Sequence, residues 1–185
     1  MKDLISTAAE IQILFEKQKW QFCFIGGIAL LFWGEQRLTK DIDLTLFAGF
    51  GNEEFYIDNL LENFVERIDD AKHFALRNRV LLLEAKNKIG IDISLGAFPF
   101  EEEMVKRAKS QKYLQNTSLR ICSAEDLIVL KAFADRGKDW VDIQSILIKQ
   151  KNLDWNYIYE QLTPLVELKE TPEILTKLKN LKKEV

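Results

Sequence analysis

Histidine is almost missing from this chain: His73 is the only one in 185 residues, and cysteine is limited to Cys23 and Cys122. A zinc site would therefore lack nitrogen and sulfur ligands, and a serine–histidine triad has no serine in a nucleophile-elbow setting. The two cysteines stand in apolar surroundings at a spacing that fits no metal or redox motif, and are expected to be buried thiols. Long hydrophobic runs are absent too. The longest, Ile28 to Trp33, is far too short to span a bilayer. The first twenty residues carry acids and no long apolar stretch, unlike a signal peptide, so a cytoplasmic protein without membrane partners is expected. Positive charge is not in excess: the net charge is −3. This argues against a nucleic-acid-coating protein while leaving room for a local basic patch. Internal repeats and low-complexity segments are also lacking.

What is present can fold as one domain or a core with an appendage. The chain is 47% hydrophobic and 30% charged, enough to bury a core and keep a solvated surface. Leu4, Ala8, Ile11 and Phe15 recur at helical spacing and predict a helix over 3–18. A strand over 21–25 ends at Gly26-Gly27, and a short helix over 28–34 is closed by Gly34. A strand over 41–47 and a helix over 53–68 follow. Strands over 79–86 and 89–96 flank a hairpin turn at Asn87-Lys88. A helix over 101–110 and a strand over 119–122 complete the first part. Ser123 is a good N-cap, with Glu125 and Asp126 in the first turn of the next helix. Helical patterns continue to the end, through 139–150, 155–168 and 172–183. The fold class expected is α+β: a mixed sheet with helices packed on it over 1–122, then a helical portion over 123–185. Lys177, Lys179, Lys182 and Lys183 read as a solvated helix face.

The chemistry concentrates in "FIGGIALLFWGEQRLTKDIDLTLF", residues 24–47. Asp41 and Asp43 are two apart on a predicted strand, so their side chains share a face. Two adjacent carboxylates repel unless a cation neutralises them, and burying them alone is costly. A divalent ion answers this, since magnesium binds through one or two carboxylates together with substrate phosphates. Asp92, in the apolar strand "IGIDISLG", is the natural third ligand. Three carboxylates on neighbouring strands can hold two metal ions about 4 Å apart, the arrangement that stabilises both the attacking and leaving oxygens of an in-line phosphoryl displacement. Asp92 could also take the acceptor's proton. Gly26 and Gly27, between a strand and a helix N-terminus, let backbone approach a polyphosphate. Asp41, Asp43 and Asp92 are thus the candidate catalytic and metal-binding residues, with Mg2+ and a nucleoside triphosphate as the implied cofactor and substrate.

At these residues the sequence resembles the nucleotidyltransferase superfamily of the DNA polymerase beta type. That pattern is a hydrophobic residue, Gly, Gly or Ser, a gap, Asp-h-Asp/Glu-h and a later carboxylate. It is matched by Ile25-Gly26-Gly27, Asp41-Ile42-Asp43-Leu44 and Asp92. "RLTKDIDL" and the helical segment with Lys131, Arg136, Asp139 and Asp142 look most like the AbiEii/AbiGii-type toxin branch. The resemblance implies magnesium-dependent transfer of a nucleoside monophosphate to a hydroxyl, with pyrophosphate released. By the same resemblance Lys131 reaches the triphosphate; otherwise it is an exposed helix lysine. Thr39 stands where serine is common, to bond a phosphate or to cap the loop. Arg37 is placed to counter phosphate charge or to pair with Glu35. Asp139 and Asp142 complement the helix dipole and pair with Arg136 in the plain reading. The acceptors implied are RNA such as a tRNA 3′ end, or a protein, in a toxin–antitoxin system with a cognate antitoxin. The short chain is closer in length to the antibiotic nucleotidyltransferases, so a small-molecule acceptor is the alternative. A non-catalytic nucleotide-binding or antitoxin role on the same fold is a further one. A basic face for RNA would come from Arg37, Lys40, Lys86 and Lys88.

Overall fold

The computed structural model describes residues 2–35, 38–114 and 117–185. By their internal contacts the residues group into two compact units, Met1–Ile28 with Leu38–Cys122, and Ala29–Arg37 with Ser123–Val185.

The first unit is built on a seven-stranded mixed sheet. It contains α1 (Lys2–Lys17), β1 (Phe22–Phe24), the first turn of α2 (Gly26–Trp33), β2 (Ile42–Phe47), α3 (Glu53–Leu61) and β3 (Val65–Glu66). The chain then forms α4 (Ala71–Asn78), β4 (Val80–Glu84), β5 (Gly90–Gly96), α5 (Pro99–Arg107), β6 (Lys109–Leu114) and β7 (Thr117–Ile121). The strand order is β3-β4-β5-β2-β1-β7-β6. The β2–β5 and β1–β7 pairs are parallel and the others antiparallel.

Alternation decides which sheet face is filled. Ile42, Leu44 and Leu46 of β2 and Ile91, Ile93 and Leu95 of β5 are buried. Each contributes about 1.5–3 kcal/mol through removal of its side chain from water. Of the residues of opposite phase, Asp43, Asp92 and Ser94 are half-buried and Thr45 is buried. A slip of one residue in either strand would turn its aspartate toward the apolar core, so the hydrophobic pattern also fixes the carboxylates' register. On α1, Phe15 packs edge-on against Phe22, with ring centroids 5.1 Å apart, and Phe22 packs likewise on Phe24. Cys23 and Cys122 are both buried.

Four boundaries differ from the sequence expectation. Helical structure already begins at Gly26 rather than at residue 28. The helix expected over 53–68 stops at Leu61, and Val65–Glu66 instead form an edge strand opposite Glu84 and Leu83. Pairing with the otherwise open edge of β4 satisfies its backbone groups, which outweighs the helical propensity of "ENFVERI". Residues 71–78, left without an element, form α4. The helix expected over 101–110 starts earlier and ends at Arg107. Pro99 is suited to its first turn, and Glu101 Oε2 accepts from the Ala97 and Phe98 N–H groups at 2.8 and 3.0 Å. Lys109 and Ser110 belong to β6, paired with Ile121 and Arg120 of β7.

The second unit is helical. It holds the later turns of α2 together with α6 (Ala124–Ala134), α7 (Gly137–Lys149), α8 (Trp155–Leu168) and α9 (Glu173–Glu184). Ser123 caps α6 as expected: its Oγ accepts from the Asp126 N–H at 3.1 Å, and Asp126 Oδ2 accepts from Ser123 N–H at 3.2 Å. The carbonyls ending α2 are met by α7 and the residue after it. Lys149 Nζ donates to Phe32 and Gly34 at 3.1 and 3.0 Å, and Gln150 donates to Trp33 at 2.9 Å. The α9 lysines are not simply a solvated face. Lys177 sits 4.3 Å from the Trp140 ring centre and pairs with Asp135, and Lys182 lies 4.1 Å from that of Trp155.

At the centre of this unit is a buried ion cluster. Lys131 Nζ lies 2.6 Å from Asp142 Oδ2 and 3.4 Å from Asp139 Oδ1, and Arg136 Nε donates to Asp139 Oδ2 at 2.5 Å. Burial pushes the Asp139 carboxyl up, but the Arg136 hydrogen bond and the Lys131 and Arg136 charges outweigh it and hold the group below its ordinary value. A depressed carboxylate contributes stability that is complete above the unfolded value, about 3.9, and is lost as pH falls through the folded value. Urea midpoints measured between pH 6 and pH 2.5 are therefore expected to hold down to about pH 4 and then drop. In Asp139→Asn the midpoint starts lower and the acid limb is shallower.

Candidate functional site

The open phase of β2 and β5 brings together the aspartates picked out by the sequence. Asp43 and Asp92 are directly opposite on these adjacent parallel strands. Register partners in neighbouring strands point to the same face. Asp41, one residue before β2, is joined to Asp92 through a cation: the Arg67 guanidinium. Arg67 Nη2 donates to Asp92 Oδ1 at 2.5 Å, and Nη1 lies 3.6 Å from Asp41 Oδ1. The Asp92 carboxyl is raised above its usual range, first by burial and then by the nearby Asp41 charge, against the pull of Arg67.

Arg67 is the site residue that sequence reasoning missed. Read as the last turn of a long helix, it had no reason to approach the aspartates. Its place comes from the edge strand: the Arg67 N–H donates to the Leu82 carbonyl at 3.1 Å, and Leu82 is opposite Asp92 in the β4–β5 pair. No local sequence signal encodes that pairing.

Glycines clear the space around these side chains. Gly26 has φ +53°, a left-handed conformation, and a Cβ there would strike the Asp43 carboxylate, 2.6 Å from its carbon. A Cβ on Gly27 would lie 2.7 Å from Thr39 Cβ, and one on Gly90 would collide with Arg67 and Asp41. The Gly27 N–H points at Asp43 Oδ2, 3.3 Å away, so the start of α2 presents its positive end to that carboxylate. Gly26→Ala is expected to lose about 1–2 kcal/mol of stability from its left-handed backbone alone and to displace Asp43. Gly51, at φ +84° with open space around it, provides the comparison. Gly51→Ala should lose a similar amount of stability but keep nucleotidyl transfer, whereas Gly26→Ala should lose stability and transfer alike, measured by urea unfolding and by pyrophosphate release.

The remaining candidates are placed as follows. Thr39 Oγ1 donates to the Asp41 carbonyl at 3.2 Å, the loop-capping geometry. Arg37 lies outside the described residues. Lys131 is not an exposed helix lysine: it is buried against Asp139 and Asp142 in the helical unit. Of the proposed basic face, Lys40, Lys86 and Lys88 are exposed, and Lys88 pairs with Glu84 at 2.6 Å.

Among the described residues no three carboxylate, histidine or cysteine groups form a ready metal cluster. The donor chemistry nonetheless fits a hard cation. Asp41, Asp43 and Asp92 offer only oxygen, two of them already converge on one positive group, and Gly26 and Gly90 keep room beside them. No described helix is long and apolar enough to cross a membrane.

A family model, the nucleotidyl transferase AbiEii toxin of type IV toxin–antitoxin systems, matches residues 12–182. The chain belongs to the AbiEii family. It is thereby a nucleotidyltransferase, as the aspartate and glycine pattern implied. No curated relative matches. Among solved structures, the AbiEii-family chain is similar to the antibiotic-resistance factor ANT(2'')-Ia, with a TM-score of 0.57 at 14% identity over 93% of this chain and 96% of that one. It is also similar to an antigenic nucleotidyltransferase-like protein from Paracoccidioides brasiliensis, with a TM-score of 0.54 at 12% identity over 96% and 93% of the two chains. The lincosamide antibiotic adenylyltransferase LnuA, solved with lincomycin bound, aligns with a TM-score of 0.52 at 18% identity over 74% and 92%. These likenesses establish the nucleotidyltransferase fold: a mixed α/β architecture with a seven-stranded sheet.

Proposed function

We propose that this AbiEii-family chain transfers a nucleoside monophosphate from a nucleoside triphosphate to an acceptor hydroxyl, using Asp41, Asp43 and Asp92. The observation that carries this reading is the side-by-side placement of Asp43 and Asp92 on adjacent parallel strands, with Asp41 tied to the same group through Arg67. Asp41, Asp43 and Asp92 are the residues that would hold magnesium, which when bound neutralises phosphate charge and lowers the pKa of the acceptor hydroxyl.

The chain's own residues do the rest. Gly26 and Gly27 let the backbone at the start of α2 lie against the Asp43 and Thr39 side chains, so its free N–H groups and the carboxylate stand together where a triphosphate would bind. Asp92 takes the proton of the acceptor hydroxyl. Burial raises the Asp92 carboxyl above its ordinary value, and a stronger base accepts a proton more readily. The acceptor oxygen forms a bond to the α-phosphorus as the bond to the β-phosphate bridge oxygen breaks, and pyrophosphate leaves with that electron pair. The toxin character of the family favours a cellular macromolecule, RNA or protein, as acceptor and a cognate antitoxin as partner.

The test is label transfer from each nucleoside triphosphate labelled at the α-phosphate, with magnesium present. Cell RNA, cell protein and a mixture of aminoglycosides and lincosamides are supplied separately. Label in RNA or protein that vanishes in Asp41→Asn/Asp43→Asn is expected. Label confined to the antibiotic fraction would reassign the acceptor to a small molecule. The absence of label in every fraction, together with no nucleotide binding by calorimetry, would reject the site.

A further inference from the structure

We infer that Arg67 is a resident counter-ion of the carboxylate site, one that a divalent metal must displace from Asp41 and Asp92 to enter. Arg67 would then be a positioning residue that sets how readily the site loads. The inference rests on the metal-binding reading above and extends it to a residue outside the carboxylate motif.

The geometry carries it. The guanidinium presents one nitrogen to Asp92 and another toward Asp41, so a single fork spans two of the three oxygen-bearing side chains a metal would need. Its position is not an accident of a long, mobile side chain. The backbone of Arg67 is bonded to Leu82, the residue opposite Asp92, and Gly90 leaves the room that Arg67 and Asp41 share. The same oxygens cannot serve the guanidinium and a metal in full. Here Asp41 is 53% exposed, Asp92 32% and Arg67 29%. Solvent-accessible pairs of this kind are weak and screened, so a doubly charged ion can replace a singly charged one. The guanidinium and a metal ion are both cations, so they compete for the same carboxylate oxygens.

The experiment measures metal binding directly, without nucleotide and without turnover. Manganese(II), a paramagnetic probe that shares magnesium's preference for carboxylate oxygen, is titrated at fixed ionic strength and free ion is read by electron paramagnetic resonance. Arg67→Gln is compared with wild type and with Lys72→Gln. Lys72→Gln removes the same formal charge from an exposed pair with Asp58 in the same unit. Arg67→Gln is expected to bind manganese about tenfold more tightly or better, the scale of removing one competing unit charge near the site, while Lys72→Gln matches wild type. In a chelator the urea midpoint of Arg67→Gln should lie below wild type, because the carboxylates lose their counter-ion, and manganese should restore it. If Arg67→Gln fails to fold in chelator, recovery of cooperative unfolding on adding manganese supports the exchange, and failure to recover overturns it. Equal or weaker manganese binding by Arg67→Gln overturns the counter-ion role alone. No binding by wild type and Arg67→Gln, or binding that persists in Asp41→Asn/Asp43→Asn, rejects the metal site beneath it.

Discussion

Asp43→Asn is expected to lower nucleotidyl transfer by about a thousandfold or more while leaving the fold intact. Asparagine keeps the shape of the side chain, and its amide oxygen can still accept from the Gly27 N–H that now points at Asp43 Oδ2. What disappears is one negative charge beside Asp92, at the position where the two strands bring their carboxylates opposite each other. Metal-assisted phosphoryl transfer draws several kcal/mol of transition-state stabilisation from such ligands, and each 1.36 kcal/mol is a factor of ten in rate, so a loss of about 4 kcal/mol gives the expected factor. Stability should hold or rise, since a like charge is removed from a cluster of three acids. Initial rates of pyrophosphate release and urea midpoints, measured on the same samples, separate the two effects. A variant that retains a tenth or more of wild-type transfer would remove Asp43 from the site.

Lys131→Met is expected to produce the largest loss of stability of any single change considered. Lys131 is 7% exposed, Asp142 4% and Asp139 fully buried. Methionine fills much of the lysine stem's volume but leaves the Asp142 carboxylate without its 2.6 Å partner. Removing one member of a buried ion pair costs about 3–5 kcal/mol, because the remaining charge loses its close counter-charge. Asp139 is less affected, since Arg136 still donates to it at 2.5 and 3.2 Å. Lys131→Met/Asp142→Leu should recover part of the loss, because the buried carboxylate that Lys131 neutralised is gone too. Urea unfolding of the single and double variants checks both statements. A single variant that unfolds like wild type yet loses nucleotide affinity would assign Lys131 to the triphosphate instead.

The contrast between Asp43 and Lys131 shows how far the sequence reached. For Asp43 the period of two along "DIDLTLF" and the apolar alternation of "IGIDISLG" were enough. Both strands bury their Ile and Leu positions, and the aspartates are left on the other phase whatever the order of strands. For Lys131 the helix was legible, but its pairing with Asp139 and Asp142 was not, since the sequence suggested Arg136 as their partner. Nor was its burial, because an isolated amphipathic pattern does not reveal how deeply a charged residue is packed. The short helix after Gly26-Gly27 was expected too, but its first turn already includes Gly26, whose left-handed backbone lets the chain pass the Asp43 carboxylate.

The sequence by itself pointed to the family through its motifs and set the sheet phase on which Asp43 and Asp92 lie, since local periodicity is enough for that; the pairing that puts them opposite each other came from the tertiary structure. Only the tertiary structure decided what meets those carboxylates. Arg67 reaches them because Val65 and Glu66 leave the helical pattern to pair with the edge of β4, which sets Arg67 beside Leu82 and so beside Asp92. Gly90 is needed because that pairing brings Arg67 and Asp41 into the same space. Edge-strand pairing satisfies backbone hydrogen bonds between residues distant along the chain. Its energy depends on a partner that local propensity cannot see, which is why the cation at the centre of the site was the part the sequence left open.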